Sequence, residues 1–124
     1  MPLLMGLAGG VGAVGRFVVD QQLRARFGGG LPLGTVLVNV LGSALLGALT
    51  ALTVRGAASP GLLLVWGTGF CGGFTTFSTA SLEVVELARA GRVLAALAHL
   101  LGGICCCLVA AAVCFGLVWG ATGA

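Results

Sequence analysis

The sequence predicts an all-α membrane protein: one domain, residues 1–124, with four transmembrane helices. Of its 124 residues 59% are hydrophobic, only 7% are charged, and the mean hydropathy is +1.18, so it has too little polar side chain to coat a water-soluble globule of this size. The apolar residues also fall in blocks. A span needs about 20 mostly apolar residues, and four stretches qualify: roughly 3–19, 33–54, 61–82 and 93–119.

The first block opens with MPLLMGLAGGVGAVG, which lacks the basic leader of a signal peptide and runs on past any small-residue cleavage site. It is expected to remain as the first helix. Its GVGAVG matches the Gly-x-Gly-x-x-Gly dinucleotide pattern, but that fingerprint follows a strand and needs an acid about 20 positions on, where residues 30–40 read GLPLGTVLVNV. No nucleotide site is expected. The connections QQLRARFGGGLP and RGAASPG have the Gly, Pro and Ser content of turns, and EVVELARAGR reads as the helical end of the third span entering a tight turn. Glycine accounts for 23 residues, many in small-xxx-small spacing (Gly6/Gly10, Ser43/Gly47, Gly69/Gly73, Gly116/Gly120) that lets helix backbones approach closely in lipid.

The charges speak to orientation rather than to nucleic acid. Arg24, Arg26, Arg89 and Arg92, with Arg16 close by, share one side of the membrane, whereas Arg55 alone lies near a span end on the other. Both termini are therefore expected outside the cytoplasm. The cysteines, Cys71, Cys105, Cys106, Cys107 and Cys114, all lie in apolar segments. Consecutive helical residues project about 100° apart, so the CCC run cannot converge on one ion, and all five are expected to be small packing residues.

Within the third span, GFCGGFTTFSTAS (residues 69–81) sets glycines beside hydroxyls at mid-membrane depth. Two readings fit. The helix opens here, leaving the carbonyls of residues 71–76 to hold a cation, or the glycines only allow close packing while each hydroxyl bonds the carbonyl one turn back. In the second span Thr35, Asn39 and Ser43 form one face at i, i+4, i+8. The Asn39 amide either joins two helices or faces a watery path where it donates to a solute. Asp20, Glu83 and Glu86 all sit toward span ends, so no span carries a central carboxylate. Hydroxyls, an amide and phenyl-ring edges suit a small anion better than a proton or a metal cation. Arg16 either snorkels to the headgroups or holds anions at an entrance. His99, the only histidine, lies about 20 residues from the Ser/Thr cluster and lacks the surrounding groups of an enzyme or a metal centre.

Taken together, GAVGRF, GTVLVNVLGSALLG and GFCGGFTTFST resemble motifs of the first three helices of the small fluoride channels called Fluc or CrcB, over residues 6–119. That resemblance implies an antiparallel dimer with two narrow fluoride pathways at its interface and a third helix broken at its centre. It also implies a structural, untransported sodium ion held by main-chain carbonyls of Gly72 and Thr75. The implied pathway residues are Asn39, Phe77, Thr76, Ser78, Thr79 and Thr35, with Arg16 at the vestibule. The chain departs from the family where a second pore phenylalanine belongs, since position 80 is Ala80, and where fourth-helix hydroxyls belong, since His99, Gly103 and Cys107 stand there. With the arginine asymmetry, these departures imply one half of a heterodimer, passing fluoride passively with an oppositely oriented homologue. The alternatives are a four-helix multidrug-type exporter, which would need an acid that residues 3–19 lack, and a non-conducting partner subunit.

Cysteine-accessibility mapping in intact cells is expected to label the 1–2 connection only from the cytoplasmic side. Equal labelling from both sides would overturn the single orientation.

Overall fold

A computed structural model describes residues 1–27 and 33–123 of the chain, and the described elements are all helical. Helices α1 (Pro2–Phe27), α2 (Leu33–Val54) and α5 (Val93–Thr122) are each long and apolar enough to cross a membrane. The third crossing is made in two pieces. Helix α3 (residues 60–74) is α-helical over Pro60–Leu62, π-helical over Leu63–Cys71 and α-helical again over Gly72–Phe74, and after a break α4 runs over Ser78–Arg89. The expected span 61–82 is therefore two helices, and the described chain is a four-crossing bundle.

Helix α1 continues past the expected end at Val19 as far as Phe27. Its polar tail stays helical because Asp20 and Arg24 pair one turn apart at 3.1 Å, while Arg24 and Arg26 oppose the negative end of the helix dipole. Residues 21–27 are thus helix rather than turn, and the remainder of that connection, 28–32, lies outside the described residues. The other connections are turns, as expected. Ser59 Oγ accepts the Leu62 N–H at 3.2 Å with Pro60 in the first turn, a strong helix start. Helix α4 ends on Gly91, whose φ of 79° permits the N–H of Arg92 to bond back to the Leu87 carbonyl at 2.9 Å.

Backbone contact sets the packing. The Cβ that Gly73 lacks would fall on the Gly9 backbone, that of Gly12 on the backbone of Phe70 and Phe74, and that of Gly69 would lie 2.8 Å from the Met5 carbonyl. Helices α1 and α3 thus meet along a glycine seam. Between α2 and α5, Gly47 lies against the Ala111 backbone. Gly6, Gly10, Gly116 and Gly120 meet nothing within 4 Å, so half of the small-xxx-small spacings face away from the bundle. The buried apolar core is small (Val38, Leu49, Ala51, Cys71, Phe74 and Ala96), while Leu3, Leu7, Val11, Leu108 and Leu117 point outward, as a lipid-facing surface requires. Cys105 and Cys106 are exposed, which corrects the expectation that all five cysteines pack. Cys71 alone is in the core. At the far end, the Arg55 guanidinium stacks 3.6 Å from the Trp119 ring centroid and donates to the Trp119 carbonyl at 3.2 Å, tying the C-terminal ends of α2 and α5 together.

Gly73→Ala is expected to destabilise the purified protein by about 1–3 kcal/mol, because backbone rather than a movable side chain blocks the added methyl. Gly116→Ala should stay within about 0.5 kcal/mol of the parent. Unfolding in detergent measures both.

Candidate functional site

The break in the third crossing begins where Thr75 turns extended, with φ −86° and ψ 162°. It spans Thr75, Thr76 and Phe77, later in the chain than the glycines suggested, since Gly72 and Gly73 are helical. The Cys71 carbonyl, which the opened-helix reading leaves free, accepts both the Thr75 N–H at 2.9 Å and the Thr75 hydroxyl at 2.7 Å, the bond one turn back that the close-packing reading expects.

Asn39 on α2 holds the middle of the break. Its Nδ2 donates to the Thr76 carbonyl at 2.9 Å, and its Oδ1 accepts the Thr76 N–H at 2.8 Å. Of the two sequence readings, joining segments is the one this geometry displays, and one amide proton of Asn39 is left over. The Thr76 hydroxyl accepts the Thr79 N–H at 3.2 Å, capping the start of α4, and donates to the Thr79 hydroxyl at 3.2 Å. Ser78 Oγ lies 3.4 Å from the same hydroxyl.

Phe74 anchors the upstream side. It is buried, with Phe70 stacked on it at 5.6 Å, and its ring edge lies 3.5 Å from where Gly15 would carry a Cβ and 3.7 Å from the equivalent point on Gly42. Sequence reasoning missed Phe74 because nothing in GGFTTF separates it from Phe77. Their surroundings differ completely, for Phe77 is 83% exposed and projects from the bundle.

A cavity of about 440 Å³ opens beside the break. Asn39, Thr76 and Phe77 line it, together with Gly72 and Thr75 and the fourth-crossing trio His99, Gly103 and Cys107. Gly42, Ser43, Cys71, Ala80 and Ser81 add to its polar and small-residue lining, and of these Ser81 carries no sequence-based expectation. Its walls carry no carboxylate. Thr35 is buried away from the cavity, and Ser78 and Thr79 reach it only through Thr76. Arg16 lies outside the lining too, with its Nε buried and unpaired among the described residues.

The family model described as CrcB-like protein, Camphor Resistance (CrcB), matches residues 3–117. The chain belongs to the CrcB family. It is 51% identical over 98 residues to a protein of Cutibacterium acnes named fluoride-specific ion channel FluC 2, covering 77% of this chain and 79% of that one. A protein of Anaeromyxobacter named fluoride-specific ion channel FluC is 43% identical over 110 residues, 88% of this chain and 87% of its own. Fluoride-specific ion channel FluC 1 of Streptomyces avermitilis matches at 40% over 120 residues, 96% and 94% of the two chains.

Phe74→Ala is expected to cost about 3–5 kcal/mol of stability through the cavity it leaves. Phe77→Ala should change stability by no more than about 0.5 kcal/mol. Thermal and denaturant unfolding in detergent separates the two phenylalanines.

Proposed function

We propose that this chain is a subunit of a fluoride channel that lets the anion leave the cytoplasm down its gradient, with no ATP or redox cofactor and no enzymatic step. One observation carries the reading: a hydroxyl-rich helix break held by Asn39 faces a cavity whose walls carry no carboxylate. A dehydrating anion needs donors and positive ring edges, and an acid in that position would repel it. Asn39, Thr76 and Phe77 line the pathway this geometry favours, with Ser78 and Thr79 behind Thr76, while Thr35 and Arg16 stand outside the cavity lining and their part in the pathway rests on the family resemblance. The names of the relatives point to the same solute.

The main-chain oxygens of Gly72 and Thr75 suit a structural sodium ion. Both residues line the cavity, a Cβ on Gly72 would meet nothing within 4 Å, and the donor that helical geometry would aim at the Gly72 carbonyl, the Thr76 N–H, is bonded to Asn39 instead. Bound there, the ion would supply positive charge and offset the desolvation of the carbonyls. Two oxygens fall well short of the roughly six or more that hard cations take, and the same pair from a second, antiparallel subunit would raise the protein's share to four. Ala80 supplies no second ring edge and Gly103 and Cys107 supply no hydroxyl from the fourth crossing, which favours a homologous partner over a second copy. The arginine asymmetry favours the same arrangement, with both termini of this chain outside the cytoplasm of the cell membrane.

Fluoride-electrode efflux from liposomes tests this. The chain alone is expected to release fluoride weakly, and reconstitution with a homologue bearing phenylalanine at the position of Ala80 should raise the rate. Robust efflux from the chain alone would overturn the heterodimer, and no efflux from any combination would overturn the channel.

A further inference from the structure

In an unbroken α-helix each N–H bonds the carbonyl four residues back, so the Thr76 N–H would reach Gly72 and the Thr76 carbonyl would accept from Ala80. Here Asn39 takes both Thr76 groups, at 2.8 and 2.9 Å. A side-chain amide is a copy of a peptide group, with one acceptor and one donor arm in a plane, and so it can replace both helical partners at once. We propose that Asn39 is a positioning residue that creates the break by this exchange, and that it is not chiefly an anion ligand. Its carbonyl removes the donor that would otherwise cover the Gly72 oxygen, and its N–H₂ fills the acceptor that would otherwise draw in Ala80.

A second feature of α2 works in the same direction. Gly42, three residues beyond Asn39, lies against the Thr75 methyl group, and a Cβ there would occupy the methyl's place. Extended Thr75 therefore has room only because position 42 is glycine. Helix α2 is a template for the interruption, offering a bonding pair at one level and a gap for the displaced residue at the next. Without Asn39 the Thr76 N–H and carbonyl must take cavity water or their helical partners, since unpaired polar backbone is not tolerated within a membrane. Losing the amide should then let the helix close through Thr76. The connection to conduction rests on the fluoride-channel reading, whereas the connection to the break does not.

Thr75–Thr76 is the only Thr-Thr pair in the sequence, so protein labelled with ¹³C-carbonyl threonine and ¹⁵N threonine gives a single carbonyl–amide correlation, from this peptide bond. In Asn39→Ala the Thr75 carbonyl shift is expected to move toward helical values, and fluoride efflux of the reconstituted channel should fall about tenfold or more for the two lost bonds. Asn39→Asp keeps the acceptor for the Thr76 N–H but loses the donor to the Thr76 carbonyl, so its correlation should move part of the way toward helical values, and an unmoved correlation would overturn the proposal. This variant carries the test if Asn39→Ala does not fold. A correlation unmoved in Asn39→Ala while efflux is lost would overturn the positioning role and make Asn39 a direct ligand. A correlation that moves while efflux persists would overturn the dependence of conduction on the break. If the parent chain and its combinations release no fluoride, the channel reading fails, and the correlation alone decides whether Asn39 holds the break.

Discussion

A chain crossing hydrocarbon can leave its helix only where something replaces the hydrogen bonds it gives up, and here one asparagine amide does so. Asn39 closes two bonds on Thr76 from a helix 37 residues earlier in the sequence. Around that contact the local geometry is closely determined: Thr75 extends into the space beside Gly42, and the Thr76 hydroxyl begins α4. Remove the amide and the polar backbone of Thr76 is left to cavity water or to its helical partners.

The glycines near the break serve a different purpose from the one their position suggests. Gly73 permits contact with the α1 backbone, and Gly72 faces open space, so neither terminates the helix. The interruption follows them because α1 needs a smooth, narrow surface through residue 73, and Phe74 then wedges between the glycines of α1 and α2. A large ring can be buried this close to two helices only because both lack side chains where it sits.

Much of the architecture was legible because the membrane imposes a strong code: block length and apolar content located the four crossings, and Gly, Pro and Ser marked the turns after α2 and α4. The polarity of GFCGGFTTFSTAS marked the site region for the same reason. What local pattern cannot carry is long-range. Asn39 read equally well as glue or pore lining until its partner was visible, and Phe74 was indistinguishable from Phe77 until one proved buried and the other exposed. The π-helical stretch Leu63–Cys71 has no compositional signature. The helical tail of α1 was missed because its polar residues resembled a turn, although the Asp20–Arg24 pair supports a further helical turn.

The two pieces of the third crossing also belong to different neighbours. Helix α3 lies along α1, whereas α4 lies along α5, which is itself packed over a wide area on α2. Helix α2 also lies against α3 and α1, so it links the neighbours of both pieces, with Asn39 holding the joint at Thr76. A shift of α2 would therefore carry directly to Thr75–Phe77, so the shape of the opening answers to how that one helix is seated among its neighbours.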